Sequence, residues 1–247
     1  MSKNKVIGVL GGMGPLATVD LYQKIIEATP AERDQDHLHV IIDSNPAVPD
    51  RSAALLHGGE DPTPLLLAGA TRLADAGADF IVVPCNTAHA FLPRIVSALT
   101  IPLLSMIDET AKAVARELPG SVVGILATGG TISARLYQDA FAREGLESIV
   151  PDDEDQARVH AAIARVKAGY VGAAQTELVR AAAVGLIERG AHSVVVACTE
   201  LPLILTQADI SVPLFDPTRI LARSAVAEAL GDEFTVDSLD SEGAGRR

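Results

Sequence analysis

The 247-residue chain has no tryptophan, three tyrosines, five phenylalanines and two cysteines. Hydrophobic residues make up 48% of it but aromatics only 3%, so the core has to be built from Val, Ile, Leu and Ala. Such a core suits strands covered on both faces by helices. Basic residues are also scarce. Twenty Lys and Arg against 32 Asp and Glu leave a net charge of −12, with no basic stripe of the kind nucleic acid requires and little attraction for an anionic membrane. No apolar run reaches membrane-spanning length, and the N-terminal one is broken by Gly8, Gly11 and Gly12, unlike a signal peptide. The expectation is a cytoplasmic protein that binds neither nucleic acid nor membrane. Neither cysteine sits in a Cys-x-x-Cys pattern, so no metal site is expected. In that compartment Cys85 and Cys198 are expected to be free thiols, although a free cysteine also packs readily as a small hydrophobe.

The pattern of apolar runs predicts strands at Lys5–Leu10, His39–Asp43, Phe80–Val83, Pro102–Ser105, Ser121–Leu126, Ser193–Val196 and Pro213–Phe215. Amphipathic stretches predict helices at Pro15–Ala28, Thr63–Ala76, Ala90–Leu99, Asp108–Glu117, Ser133–Glu144, Gln156–Ala168, Gly172–Arg189 and Pro217–Leu230. This alternation defines an α/β protein with parallel sheets flanked by helices.

The chain also repeats itself. Val6-Ile7-Gly8-Val9-Leu10 returns as Val122-Val123-Gly124-Ile125-Leu126, and Gly77–Cys85 returns as Gly190–Cys198. Ile101-Pro102-Leu103-Leu104 returns as Val212-Pro213-Leu214-Phe215. Gly8 to Cys85 spans 77 residues, and Gly124 to Cys198 spans 74. Two pseudo-symmetric α/β domains are therefore expected, 1–105 and 106–216, with the cleft between them as the active site. Helix 217–230 is expected to pack back on the first half, and 231–247 to form a disordered tail.

In parallel α/β sheets ligands bind beyond the carboxyl ends of the strands. Cys85 and Cys198 occupy equivalent strand ends, so facing halves would point both into one cleft. Opposed thiols suit the inversion of a carbon stereocentre: a thiolate removes hydrogen from one face while a thiol returns a proton to the other. A free thiol titrates near pH 8.5 and can be tuned to either state. Asn86 and Thr87 follow one cysteine, and Thr199 and Glu200 follow the other. Asn86, Thr87 and Thr199 can hold a substrate carboxylate or simply cap a helix. Glu200 can polarise a group near Cys198 or complete a first helical turn. His89, four residues beyond Cys85, can tune the thiol or serve as a structural residue. His192, which matches Asp79 in the repeat, is read as structural.

Four segments together resemble the aspartate/glutamate racemase family: Gly11-Gly12-Met13-Gly14-Pro15, Ser44-Asn45-Pro46 with Asp50-Arg51, Pro84-Cys85-Asn86-Thr87-Ala88-His89, and Ala197-Cys198-Thr199-Glu200. The similarity extends over about residues 5–230. The Gly-Gly-Met-Gly-Pro segment and the Glu200 ending look closer to the aspartate branch than to glutamate racemases proper, which carry Asp-Ser-Gly and Cys-Thr-His. The resemblance implies a cofactor-independent racemase of an acidic amino acid, commonly a homodimer, with Cys85 and Cys198 as the catalytic pair. It also associates Arg51 and Lys167 with the substrate's carboxylates, and Arg51 offers a bidentate fork suited to one. Because the α-hydrogen of an amino acid is very weakly acidic, donors must stabilise developing charge. Asn45, Thr128 and the amides of Gly129, Gly130 and Thr131 are candidates, and Met13 completes the substrate-facing set.

Two other classes compete. Gly12-x-Gly14-x-x-Ala17 after a strand, with Asp43 ending the next, resembles a dinucleotide fingerprint, but it leaves the cysteine-bearing repeat unexplained. A two-domain binding protein would leave its thiols idle. Relatives such as maleate isomerase, hydantoin racemase or arylmalonate decarboxylase would reuse the cysteine positions on other acids.

Overall fold

The computed structural model describes residues 4–231. The expected tail, apart from Gly231, lies outside the described residues. Two four-stranded parallel sheets share one strand order. The first runs β2 (Val40–Ser44), β1 (Ile7–Gly11), β3 (Phe80–Val82), β4 (Leu103–Leu104), and the second runs β6 (Glu147–Ile149), β5 (Val122–Ala127), β7 (Ser193–Ala197), β8 (Leu214–Phe215). The sequence repeat is carried into the register: Gly8 pairs with Ile81 and Ile81 with Leu103, just as Gly124 pairs with Val194 and Val194 with Leu214.

Strand residues alternate between two buried faces, which explains their unbroken hydrophobicity. In β3, Phe80 and Val82 join one core with Ile7, Val9 and Leu221, while Ile81 packs with Leu66 and Leu73 on the other side. In β7, Val194 and Val196 face α7 (Asp153–Lys167) and α8 (Ala173–Glu188), while Val195 and Ala197 face α4 (Met106–Glu117) and α6 (Leu136–Arg143). The last helix, α9 (Pro217–Leu230), packs through Leu221, Ala222 and Val226 against β1, β3 and α1 (Pro15–Ala28). Lys24 anchors it there, its ammonium bonding Asp20 at 2.6 Å and Asp216 at 2.7 Å.

Equivalent positions are held by equivalent bonds even where the residues differ. Asp79 accepts from the Val6 amide at 2.6 Å, and His192 Nδ1 accepts from the Val122 amide at 3.0 Å, so the structural reading of His192 holds. Gly8 and Gly124 meet one constraint: a Cβ at either would press on the alanine entering the next strand, Ala78 at 2.9 Å or Ala191 at 3.2 Å.

Several elements differ from expectation. The helix expected at Ala90–Leu99 is a run of 3-10 turns, Thr87–Ala90, Leu92–Arg94 and Val96–Ala98, because Pro93 has no amide to give an α-helical ladder. The helix expected at Ser133–Glu144 is two, α5 (Gly129–Ser133) and α6, broken where Arg135 adopts φ 53°. Helix α2 (Arg51–His57) and strand β6, seven and three residues long, are too short to show a period in the sequence. Helix α3 (Thr63–Asp75) completes the first half. No helix among the described residues is long and apolar enough to cross a membrane.

Candidate active site

Cys85 follows β3 by three residues and Cys198 follows β7 directly. Both are free thiols, buried at 6% and 5% exposure, and both open on a single cavity at the junction of the halves. Met13, Asp50, Arg51, Asn86, Thr87, Thr128, Lys167, Thr199 and Glu200 line it with them, together with Ser52. Its free space is about 10 Å³, roughly that of one water. A vestibule of about 340 Å³ adjoins it, sharing Met13, Asp50, Arg51, Lys167 and Glu200 as a common wall.

The Cys198 thiol donates to Glu200 Oε2 at 3.0 Å. Burial, and then the Glu200 charge, push this thiol well above its usual range, with Lys167 opposing them. These effects favour the protonated thiol. Glu200 does both things expected of it: its backbone opens the 3-10 turn Leu201–Leu203, while its side chain, which makes no capping bond, meets the thiol.

Lys167, the last residue of α7, is exposed over much of its surface, yet it lies beside both thiols and Glu200. Burial of the ammonium works to lower its pKa, but the combined pull of Cys198, Glu200 and Cys85 raises it, so it stays charged. Among the described residues no ion pair holds it. Across the cleft Asp50 caps α2, accepting from the Ala53 amide at 2.7 Å. Burial would raise the Asp50 carboxyl, but that bond, with Lys167 and Arg51, keeps it below the usual range.

Arg51 lines the site, but not as a free fork. Its Nη1 donates to the carbonyls of Val48 at 3.0 Å and Pro49 at 2.9 Å, and Nη2 reaches Met13 O at 3.4 Å. Its Nε is buried without a partner in the protein. The same is true of Asn86 Nδ2, whose Oδ1 accepts from Tyr137 Oη at 2.6 Å. Two residues of one cavity thus each bury a donor without a partner in the protein, which is costly.

Thr87 is not a cap. Its hydroxyl joins those of Thr128 and Thr131, both at 2.9 Å, in a buried triangle that ties the halves together. Asn86 makes no capping bond either. Three expected ligands do not line the cavity. Thr131 is spent in the triangle, and Gly130 is pressed against Ser52, whose Oγ a Cβ would meet at 2.7 Å. Asn45 accepts from the Ala47 amide at 3.0 Å and only shapes its turn. The amides of Gly129 and Thr131 are likewise committed, to His160 Nε2 and Thr128 Oγ1. His89 proves structural: its Nε2 accepts from the Met106 amide at 3.2 Å, so Nδ1 carries the proton and donates to Cys85 O at 2.9 Å. Burial keeps this ring neutral. Asp50 as a wall residue, Ser52 and Tyr137 were missed, since a short polar motif and one aromatic in a helix carry no local signal.

The glycine turn before α1 does not form a phosphate cradle. The Gly12 amide donates to Thr18 Oγ1 at 2.8 Å, and the Asp43 carboxylate is taken by Arg72 at 2.7 Å. A dinucleotide would need both. Among the described residues no three His, Cys, Asp or Glu side chains gather to hold a metal ion.

Two repeated α/β halves thus close a thiol pair, a cation and unpaired donors into one cleft. The Asp/Glu/Hydantoin racemase family model matches residues 10–225, and the chain belongs to that family; it is an amino-acid racemase. It is 31% identical over 229 residues to the broad specificity amino-acid racemase RacX of Bacillus subtilis (strain 168), covering 91% of this chain and 98% of that one. Its fold matches the Picrophilus torridus aspartate racemase with a TM-score of 0.81 at 30% identity, over 91% of this chain and 94% of that one. An aspartate racemase homologue from Pyrococcus horikoshii OT3 matches with a TM-score of 0.75 at 28% identity, over 92% and 100%.

Proposed function

We propose that the chain racemises an acidic amino acid, aspartate first and glutamate second, without a cofactor, by a two-base thiol mechanism. The observation that carries this reading is that two repeat-equivalent cysteines open on one cavity beside Lys167 and the unpaired Asn86 amide. One sulfur, as thiolate, takes the α-hydrogen as a proton. The electron pair passes into the substrate carboxylate, where Asn86 Nδ2 and the Lys167 ammonium face it. The other thiol returns a proton to the opposite face and is left as thiolate, so the reverse reaction exchanges the roles. Since the space between the thiols holds about one water, entry requires the wall of Met13, Arg51, Lys167 and Glu200 to move. The homodimer and cytoplasmic setting implied by the family belong to this proposal. The exposed stripe Leu16, Val19, Tyr22 and Ile26 on α1 offers an apolar face for a second copy.

Incubating the protein with single enantiomers of aspartate and glutamate in deuterated water tests the reading. Loss of optical rotation with deuterium entering the α-position is the expected result, and neither change with either acid would overturn it. A broader substrate range is a second reading, favoured by the apolar vestibule walls of Pro15, Leu16, Pro46, Val48 and Val166 and by the engagement of Arg51 with backbone carbonyls. Similarity to a racemase named for broad specificity points the same way. Methionine and leucine in the same assay distinguish the two.

Glu200→Gln provides a pH test. Removing the carboxylate charge beside Cys198 lowers the thiol's pKa, since that charge helps to raise it. The limb of the pH–rate profile on which Cys198 must become thiolate should therefore move to lower pH. An unmoved limb would show that Glu200 does not tune the thiol.

A further inference from the structure

We propose that Tyr137 is a positioning residue, which holds the Asn86 side-chain amide across the junction of the halves with its NH₂ facing the space between the thiols. The inference rests on the preceding reading, in which Asn86 meets the substrate carboxylate. A primary amide has nearly the same shape in its two orientations, but opposite chemistry. With the oxygen turned away, Asn86 offers the cavity donors that suit a carboxylate. Rotated by half a turn, it would offer an oxygen and repel one. Its place directly after Cys85 fixes where the amide stands but not which edge it presents.

That choice is made by the other half of the molecule. Tyr137 lies on α6 and is fully buried, with its ring 5.6 Å from that of Phe141. Its hydroxyl donates to Asn86 Oδ1 at 2.6 Å, which leaves Nδ2 buried, unpartnered and on a residue that lines the cavity. Asn86 itself is 3% exposed, so no bulk solvent competes for the orientation. The phenol keeps its proton across the working range, because burial pushes its titration far upward. In its chemistry the bond is a keyed contact: only a donor on α6 selects the productive edge of the amide. Tyr137 itself does not line the cavity, and it acts through Asn86.

Tyr137→Phe keeps the ring and its packing and removes the bond to Asn86 together with the hydroxyl's contact to Thr110, and the Asn86→Ala background separates the two. The expected result is a KM raised by about tenfold for whichever amino acid the wild type racemises, with kcat changed much less, as for loss of an interaction made in both ground and transition states. The thermal midpoint controls for folding. In an Asn86→Ala background the same substitution should change KM by less than about twofold, because residues acting through one contact are not additive. Binding of the same amino acid to each variant by calorimetry gives this comparison even where turnover is too slow to follow. An unchanged KM in Tyr137→Phe, or equal effects with and without Asn86, would overturn the positioning role. If the wild type racemises nothing, the proposed function itself fails, whereas an active wild type with an indifferent Tyr137→Phe removes only this inference.

Discussion

Replacing either Cys85 or Cys198 by serine is expected to abolish racemisation, with kcat/KM falling by at least about 10³ in both directions. The thiols are buried on one cavity and stand at repeat-equivalent strand ends. Serine nearly preserves size, but its hydroxyl ionises far above the thiol range near 8.5 and cannot act as base near neutrality. Both cysteines are needed because inversion takes a proton from one face and returns one to the other. Each variant retains one sulfur, so slow exchange of the α-hydrogen without inversion is expected, confined to one enantiomer in Cys85→Ser and to the other in Cys198→Ser. Polarimetry and mass spectrometry in deuterated water read both quantities. Racemisation surviving in either variant would sink the two-thiol mechanism.

Lys167→Met is expected to lower kcat/KM by about 10², a typical loss for a group that stabilises developing transition-state charge. Its ammonium lies beside both thiols and Glu200, and among the described residues no ion pair engages it. Arg51, by contrast, spends its Nη groups on the carbonyls of Val48, Pro49 and Met13. Methionine preserves the apolar stem against the vestibule while deleting the charge. A second effect has a definite sign: Lys167 pulls the Cys198 thiol down, so its loss should shift the limb governed by Cys198 to higher pH, opposite to Glu200→Gln. Activity within about threefold of wild type and an unmoved profile would place the charge requirement elsewhere.

The contrast between Arg51 and Asn86 shows where sequence reasoning stops. An arginine in an Asn-Pro…Asp-Arg segment suggests a free carboxylate fork, and only the chain's path around Val48–Pro49 reveals that its end groups are taken by backbone oxygens. Asn86 carries no local sign of which amide edge it presents, because the deciding donor, Tyr137, lies 51 residues away on the other half. Thr131 and Gly130 are expected beside the ligand for their place at a strand end, but the close packing of the halves buries both, Gly130 against Ser52 and Thr87 and Thr131 in its hydroxyl triangle.

The amino-acid sequence by itself determined the α/β class, the two-fold repeat and the equivalence of Cys85 and Cys198. Hydrophobic periodicity, glycine-to-cysteine spacing and strand-end position are local quantities along the chain, and the matching registers of the two sheets follow from them. The tertiary structure alone decided which polar groups are free to act. Hydrogen-bond partners set in place by the fold, from the adjoining turn for Arg51 and from the other half for Thr131, occupy those side chains, as Cys85 O and the Met106 amide occupy His89, and leave Lys167, Asn86 Nδ2 and the two thiols facing one small space, since a donor's availability depends on everything folded around it.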